Sequence, residues 1–311
     1  MMHRKLPLVV GFLVPAFASL SLFAQNAAPQ DLNAVNNTRG KSDMMADSPV
    51  TFPEKGALPS AFPPDVKTQS FPAEKEYGIV ESPCRSLAQI RAIQAQMPTG
   101  TFTVVRADWS RLPRTRKALT EGGSLHILGL GDSIINDTMR SGWVALLREA
   151  YPKASIKATV YVRGGGNCKH YRAEGRVQTY LLPLKPDLVI IGGISQGKDY
   201  AAIRDVVGQI RAGLPNCEFL FTTGVFGSTD PRSDAAMAAA QHSGTSDYGR
   251  DLKALADELG CAYFDMTTPW IQYIRSSGLH PHLFYRDRVH ANPYCEQILA
   301  KIMLSWWAPE P

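Results

Sequence analysis

SLHILGLGDSIINDT, residues Ser124 to Thr138, decides how the rest of the chain is read. An apolar run from Leu125 to Leu130 stops abruptly at Gly131, Asp132 and Ser133, and a helix-like segment follows. A short apolar run ended by turn residues reads as a buried strand, and the helical spacing after it reads as a crossover. A strand that emerges into Gly-Asp-Ser places the Ser133 hydroxyl at the surface on a rigid support.

The same rhythm continues downstream. Strands are expected near Leu125–Gly129, Ile156–Val162, Leu188–Ile191, Phe219–Thr223 and Ala262–Phe264. Helical patterns lie near Thr138–Tyr151, Tyr171–Leu182, Tyr200–Ala212, Ser246–Leu259 and Asn292–Trp307. Alternation of this kind predicts an α/β protein with a five-stranded parallel sheet covered on both faces, a three-layer α/β/α domain over residues 119–308. Sites in such sheets gather beyond the carboxyl ends of the strands.

Upstream the composition changes. Residues 1–24 read as a signal peptide: Arg4 and Lys5, an apolar stretch from Leu6 to Phe23, and Ala24 as a cleavage point. Pro15 and several small residues in that stretch argue against a permanent membrane anchor. Export to the periplasm or the medium is therefore expected, with no stable membrane insertion after cleavage. Residues 25–75 are rich in Asn, Ala, Ser, Pro and Asp and have no sustained period, the signature of a linker or disordered arm. Residues 76–118 form an N-terminal extension packing on the main domain, with a helix over Ser86–Gln96 and a strand-like alternation at Phe102–Val105.

The chain has 311 residues, 44% hydrophobic and 20% charged, as in a globular protein with one main core. The net charge is +5, two of which reside on Arg4 and Lys5, and the remaining Lys and Arg are scattered. Such a balance gives no nucleic-acid surface. Five cysteines fit no paired zinc pattern, and the HPH pair at His280 and His282 has no third ligand nearby, so no metal is expected. Cys217 and Cys261 each precede a strand, and a disulfide between them is open if those strands are neighbours.

Four segments fall at carboxyl ends of strands or before the last helix: Gly131–Ile134 (GDSI), Arg163–Asn167 (RGGGN), Gly192–Ser195 (GGIS) and Asp287–His290 (DRVH). Their order and spacing resemble the four blocks of the SGNH, or GDSL-type, hydrolases over roughly the C-terminal two-thirds of the chain. The resemblance implies a flavodoxin-like architecture and a serine esterase that needs no cofactor. The chemistry asks for the same residues. An alcohol is a poor nucleophile until a base takes its proton, and a His does so near neutral pH when a carboxylate fixes its tautomer. Ser133, His290 and Asp287 fill those roles, the last two spaced so that both can point the same way.

The resemblance also implies an oxyanion hole made by the Ser133 amide, a glycine amide of the second block and an Asn side chain of the third. Gly166 is the glycine chosen, with the alignment open by one residue within Gly164–Gly166. The third block departs from the pattern, since Ser195 and then Gln196 stand where Asn is expected. Either could donate instead, or cap the loop. His170 lies near the expected cleft, where it reads more readily as a satisfied polar side chain than as a substrate contact. Trp143, Tyr161, Tyr171 and Trp270 offer stacking surfaces or core filling, the latter being commoner. The substrate implied is an ester-bearing small molecule or acylated polysaccharide, with O-acetyl groups on carbohydrate favoured by export and the lack of a long apolar lid. Lipid or aryl ester hydrolysis, acyl transfer, and a catalytically weakened glycan-binding homologue remain alternatives.

Overall fold

The computed structural model of the protein describes residues 76–81, 86–173, 175–225, 230–235, 245–285 and 289–309. The expected signal peptide and the arm over 25–75 lie outside the described residues. In chain order the elements are β1 (Glu76–Glu81), α1 (Leu87–Gln94), α2 (Pro113–Glu121), β2 (Ser124–Gly131), α3 (Ser133–Arg140), α4 (Trp143–Ala150), β3 (Ser155–Arg163) and the four-residue α5 (Cys168–Tyr171). They continue with β4 (Leu188–Ile191), α6 (Tyr200–Gly213), β5 (Glu218–Thr222), α7 (Thr245–Leu259), β6 (Ala262–Phe264), α8 (Thr267–Ser277) and α9 (Pro293–Trp307).

Five strands pair in parallel, as the alternation of strand and helix predicts, in the order β3-β2-β4-β5-β6. A sixth, β1, was not foreseen. It joins the outer edge of β3 antiparallel, from Glu76 opposite Arg163 to Glu81 opposite Thr159. The chain runs from β2 to β3 on one side, then crosses back to β4 on the other, so β2 is the point where strand order reverses. Ligand sites in open α/β sheets form at that crevice.

Alternation along each strand divides the core. Leu128 and Leu130, Val189 and Ile191, and Phe219 and Phe221 face one layer, with Ala202, Val206 and Leu252 from α6 and α7 packed over them. Burying each such side chain contributes about 1.5–3 kcal/mol before entropy. The opposite face meets α3, α4 and α9. A Cβ at Gly129 would come within 2.7 Å of Met139 Cγ, so glycine there lets α3 lie close on β2. Phe264 stacks on Trp306 at 5.2 Å, and Trp143 on Trp307 at 6.0 Å. Trp143, Tyr161, Tyr171 and Trp270 are all fully buried core residues.

Several local expectations are corrected. The helix expected over Thr138–Tyr151 is two helices, broken at Gly142, whose φ of 93° is left-handed. The pattern over Tyr171–Leu182 resolves into α5, a π-type turn at Val177–Leu181 and a 3-10 turn at Leu182–Leu184. Phe102–Val105 is no strand. Its flanking amides go to side chains of α8, Thr101 N to Ser276 Oγ (2.7 Å) and Thr103 N to Gln272 Oε1 (2.8 Å), which leaves no ladder to form. The boundary expected between 118 and 119 falls inside α2. Both carboxylate oxygens of Glu218 cap that helix, accepting the amides of Arg114 and Thr115 at 2.7 and 2.8 Å.

Cys217 and Cys261 do sit at the starts of neighbouring strands, yet both are free thiols. Cys217 Sγ lies 3.5 Å from the Glu218 carbonyl, and Cys261 Sγ 3.5 Å from an Arg211 guanidinium nitrogen, so the two sulfurs are engaged separately. Among the described residues no helix is long and apolar enough to cross a membrane, and no cluster of His, Cys, Asp and Glu could hold a metal ion.

Candidate active site

The turn from β2 into α3 is built by one carboxylate. Asp132 is the N-cap of α3, and its Oδ1 accepts the amides of Ile134 and Ile135 at 2.9 and 3.4 Å. Its Oδ2 reaches across to the loop after β4 and accepts the amides of Ile194 and Ser195, both at 2.8 Å. Asp132 is 1% exposed and fully engaged. It clamps the first and third sequence blocks together, a role the sequence did not disclose. Gly193, at φ 97°, allows the approach: a Cβ there would lie 2.1 Å from Asp132 Oδ1.

Ser133 is thereby the first residue of α3, half-buried at the strand-order reversal. Its Oγ lies 2.8 Å from His290 Nε2, bridging 157 positions of sequence. With the hydroxyl donating to Nε2, the ring proton sits on Nδ1. Asp287 lies outside the described residues.

His290 is held from both sides. Tyr285 and Ala291 form an antiparallel bridge that brackets its loop. The amide of Ala291 donates to Asp137 Oδ2 at 2.9 Å, and Asp137 is one turn along α3 from Ser133. On the C-terminal side, Asn292 caps α9 through the amides of Tyr294 and Cys295 (3.0 and 3.1 Å), and its Nδ2 donates to the Leu283 carbonyl at 2.8 Å. Buried Glu296 pairs with Arg140 at the end of α3, which ties α9 to the helix that carries the serine.

Donors for a developing oxyanion come next. The Ser133 amide is the first of α3 and has no intrahelical acceptor. The second block behaves differently from the expectation. Gly166 N donates to the Arg163 carbonyl at 2.8 Å in a tight turn, so this amide is already spent. The amides of Gly164 and Gly165 accept no such commitment among the described residues, and Gly165, at φ 65°, has no atom within 4 Å of where a Cβ would be. The glycine amides open to a ligand are therefore those of Gly164 and Gly165, ahead of the one chosen.

Gln196 is likewise corrected. It is 1% exposed, its Oε1 accepts the Cys168 amide at 3.1 Å, and its Nε2 donates to the Gly192 carbonyl at 3.2 Å. It braces two loops from within. Ser195 is placed at the cleft, with its amide held by Asp132 and its carbonyl by Asn167 Nδ2 at 2.8 Å. Its hydroxyl is the group left over.

The loop after β3 lines an open pocket of about 370 Å³, formed by Arg163, Gly164–Gly166, Asn167, Lys169 and His170. Arg163 Nη1 meets His170 Nδ1 at 2.5 Å, and Arg176 Nη1 lies 3.1 Å from Nε2 of the same ring. Burial, and then the charge of Arg163, push the His170 pKa down to about 4, so the ring is neutral and its single unprotonated nitrogen can accept from one of the two guanidinium groups, Arg163 being the nearer. His280, of the HPH pair, lies 3.6 Å from Asp230 on a separate loop.

Fold and geometry together define a three-layer α/β protein with a serine–histidine pair at its topological switch point. No family model matches the chain, and no curated protein sequence does. Solved structures resemble it. An acetyl xylan esterase variant from Geobacillus stearothermophilus is 22% identical, over 62% of this chain and 100% of its own, with a TM-score of 0.48. A two-domain esterase active on acetylated mannans, co-crystallised with mannopentaose, is 16% identical over 65% of this chain and 54% of its own, with a TM-score of 0.49.

Proposed function

We propose that the chain is an exported serine esterase of the SGNH type that removes acetyl or other short acyl groups from carbohydrate. The observation that carries this reading is the 2.8 Å contact between Ser133 Oγ and His290 Nε2 at the carboxyl edge of the sheet, within hydrogen-bond reach of a nucleophile and its base. His290 takes the hydroxyl proton as Ser133 Oγ bonds to the ester carbonyl carbon, and Asp287 is the carboxylate that orients the ring. The carbonyl oxygen, now negative, is met by the amides of Ser133 and Gly165 and by the Ser195 hydroxyl. The start of α3 adds its positive dipole end. Collapse expels the sugar oxygen, which takes the proton from His290, and leaves acyl-Ser133. Water activated by His290 then releases the acid.

The polarity of the adjoining pocket favours a sugar over a lipid. Among the described residues its lining side chains are those of Arg163, Asn167, Lys169 and His170, beside three glycines, with no hydrocarbon side chain to receive a fatty acyl chain. A fluorophosphonate probe tests the reading directly. Mass spectrometry is expected to place the label on Ser133, with no labelling of Ser133→Ala; a label elsewhere, or none, overturns it. Among substrates, acetyl esters of xylo- or manno-oligosaccharides are expected to turn over faster than octanoyl esters.

A further inference from the structure

The pocket lined by the loop after β3 has a chemical character that ester cleavage does not require. Two of its side chains, Arg163 and Lys169, are cationic, His170 is a neutral imidazole, and among the described residues none is acidic. Arg163 commits one N–H to His170, and among the described residues neither Arg163 nor Lys169 has a carboxylate in ion-pairing range. The uncommitted amides of Gly164 and Gly165 are on the same wall. A planar guanidinium fork, an ammonium and bare backbone N–H groups around one cavity are the components with which proteins hold carboxylates and sulfates.

Position matters as much as charge. Arg163 closes β3, which pairs in register with β2 so that Val162 stands opposite Gly131. The loop after β3 therefore leaves the sheet next to the Asp132–Ser133 turn, and two hydrogen bonds hold it there: Tyr171 Oη donates to the Gly131 carbonyl at 2.5 Å and Asn167 Nδ2 to the Ser195 carbonyl at 2.8 Å. At about 370 Å³ the pocket is large enough for a monosaccharide-sized group.

We propose that this pocket is a subsite for an anionic sugar, whose carboxylate or sulfate ester is held by Arg163 and Lys169 while an acetyl group on the same or the adjacent ring is presented to Ser133. The proposal rests on the esterase reading for its acyl group, but the anion site stands on its own side chains. It narrows the substrate class from acetylated glycans in general to acidic ones, such as a chain containing hexuronic acid.

The test uses matched pairs that differ only in charge: acetylated oligogalacturonides against their carboxyl methyl esters, and an acetylated sulfated oligosaccharide against its desulfated form. Acetate release by the full chain gives kcat/KM for each. The charged member of at least one pair is expected to be favoured by about tenfold or more, the scale of a charge-assisted hydrogen bond, and the pair that shows it identifies the anion. The preference should shrink in 0.5 M NaCl. In the Arg163→Gln/Lys169→Gln variant the charged-over-neutral ratio should fall towards one, and because the ratio is taken within each protein, a general loss of activity cancels. A ratio near one in the parent protein, or an unchanged ratio in the variant, overturns the proposal. Failure of the esterase reading would look different: no hydrolysis of 4-nitrophenyl acetate beyond that of Ser133→Ala. In that case calorimetric titration with non-acetylated trigalacturonate and with a sulfated oligosaccharide still decides. Binding of either that is lost in the double variant supports the subsite, and binding of neither refutes it.

Discussion

Asp137 Oδ2 accepts the amide of Ala291 at 2.9 Å, and this one bond joins the helix that begins with Ser133 to the residue that follows His290. Asp137 is fully buried, and Arg140, 3.8 Å from its other oxygen, also pairs with Glu296 on α9. The Asp137 carboxylate, one helical turn from Ser133, is thus one of the supports that hold the histidine loop against the serine helix.

Removing that support should act on turnover. Asp137→Ala leaves the Ala291 amide without its acceptor, costing about 1–3 kcal/mol of stability, and frees the His290 loop. A displacement of about 1 Å at a reacting group is worth about a hundredfold in rate. The expected result with 4-nitrophenyl acetate is a fall in kcat towards that size with KM little changed. Asp137→Asn retains an acceptor oxygen and should recover much of the loss. Equal rates for both variants and the parent would show that the bond does not position the histidine.

The Asp132 clamp predicts a contrast between two glycines with positive φ. In Gly193→Ala the new methyl would meet Asp132 Oδ1 at 2.1 Å, so either the cap of α3 or the Ser195 loop must move. Backbone strain adds about 1–3 kcal/mol. Urea midpoint and esterase activity should fall together. Gly165→Ala carries a comparable φ penalty but meets no atom within 4 Å, so its urea midpoint should fall much less. Midpoints measured on the two variants side by side check this.

How far the sequence could lead is visible in these same residues. Ser133 and His290 were legible because each stands in a short motif, and chemistry restricts what Gly-Asp-Ser and Asp-x-x-His can do together. The five parallel strands were legible because both faces are buried, giving uninterrupted apolar runs. Cross-chain support was not. The second oxygen of Asp132 serves a loop 62 residues away and Asp137 one 154 residues away, and no local pattern encodes either. Gly166 was preferred over its neighbours because composition cannot tell which of three glycine amides a tight turn consumes. Phe102–Val105 alternates as a strand would, but the Thr101 and Thr103 amides are taken by side chains of α8, which an alternation pattern does not reveal.

Ser195 and Gln196 adjoin in sequence but should behave differently when changed. Gln196→Leu strips the partners from the Cys168 amide and the Gly192 carbonyl, both bonded to it inside the core. Loss of each buried partner costs about 1–3 kcal/mol, so thermal or urea stability should drop clearly. Ser195→Ala removes only an accessible hydroxyl and should hardly move the unfolding midpoint. Its effect belongs in kcat, about a hundredfold for the loss of one oxyanion donor. The reverse pattern, a stability loss at Ser195 and a purely kinetic loss at Gln196, would exchange the two roles.

His170 makes stability depend on pH in a predictable direction. Burial and the adjacent Arg163 charge lower its pKa to about 4, against 6.5 for the unperturbed side chain. Between those values the unfolded chain binds a proton that the folded protein does not, so acidification favours unfolding. The stabilising contribution of the neutral ring is fully present above about pH 6.5 and is lost as pH falls towards 4, below which both states are protonated. His170→Gln has no such titration. Urea midpoints of parent and variant measured at pH 7, 5.5 and 4.5 should therefore converge or cross as pH falls, because the parent loses more. If the parent instead gains on the variant in acid, the ring is held as a cation in the folded protein, and its role as acceptor for Arg163 is wrong.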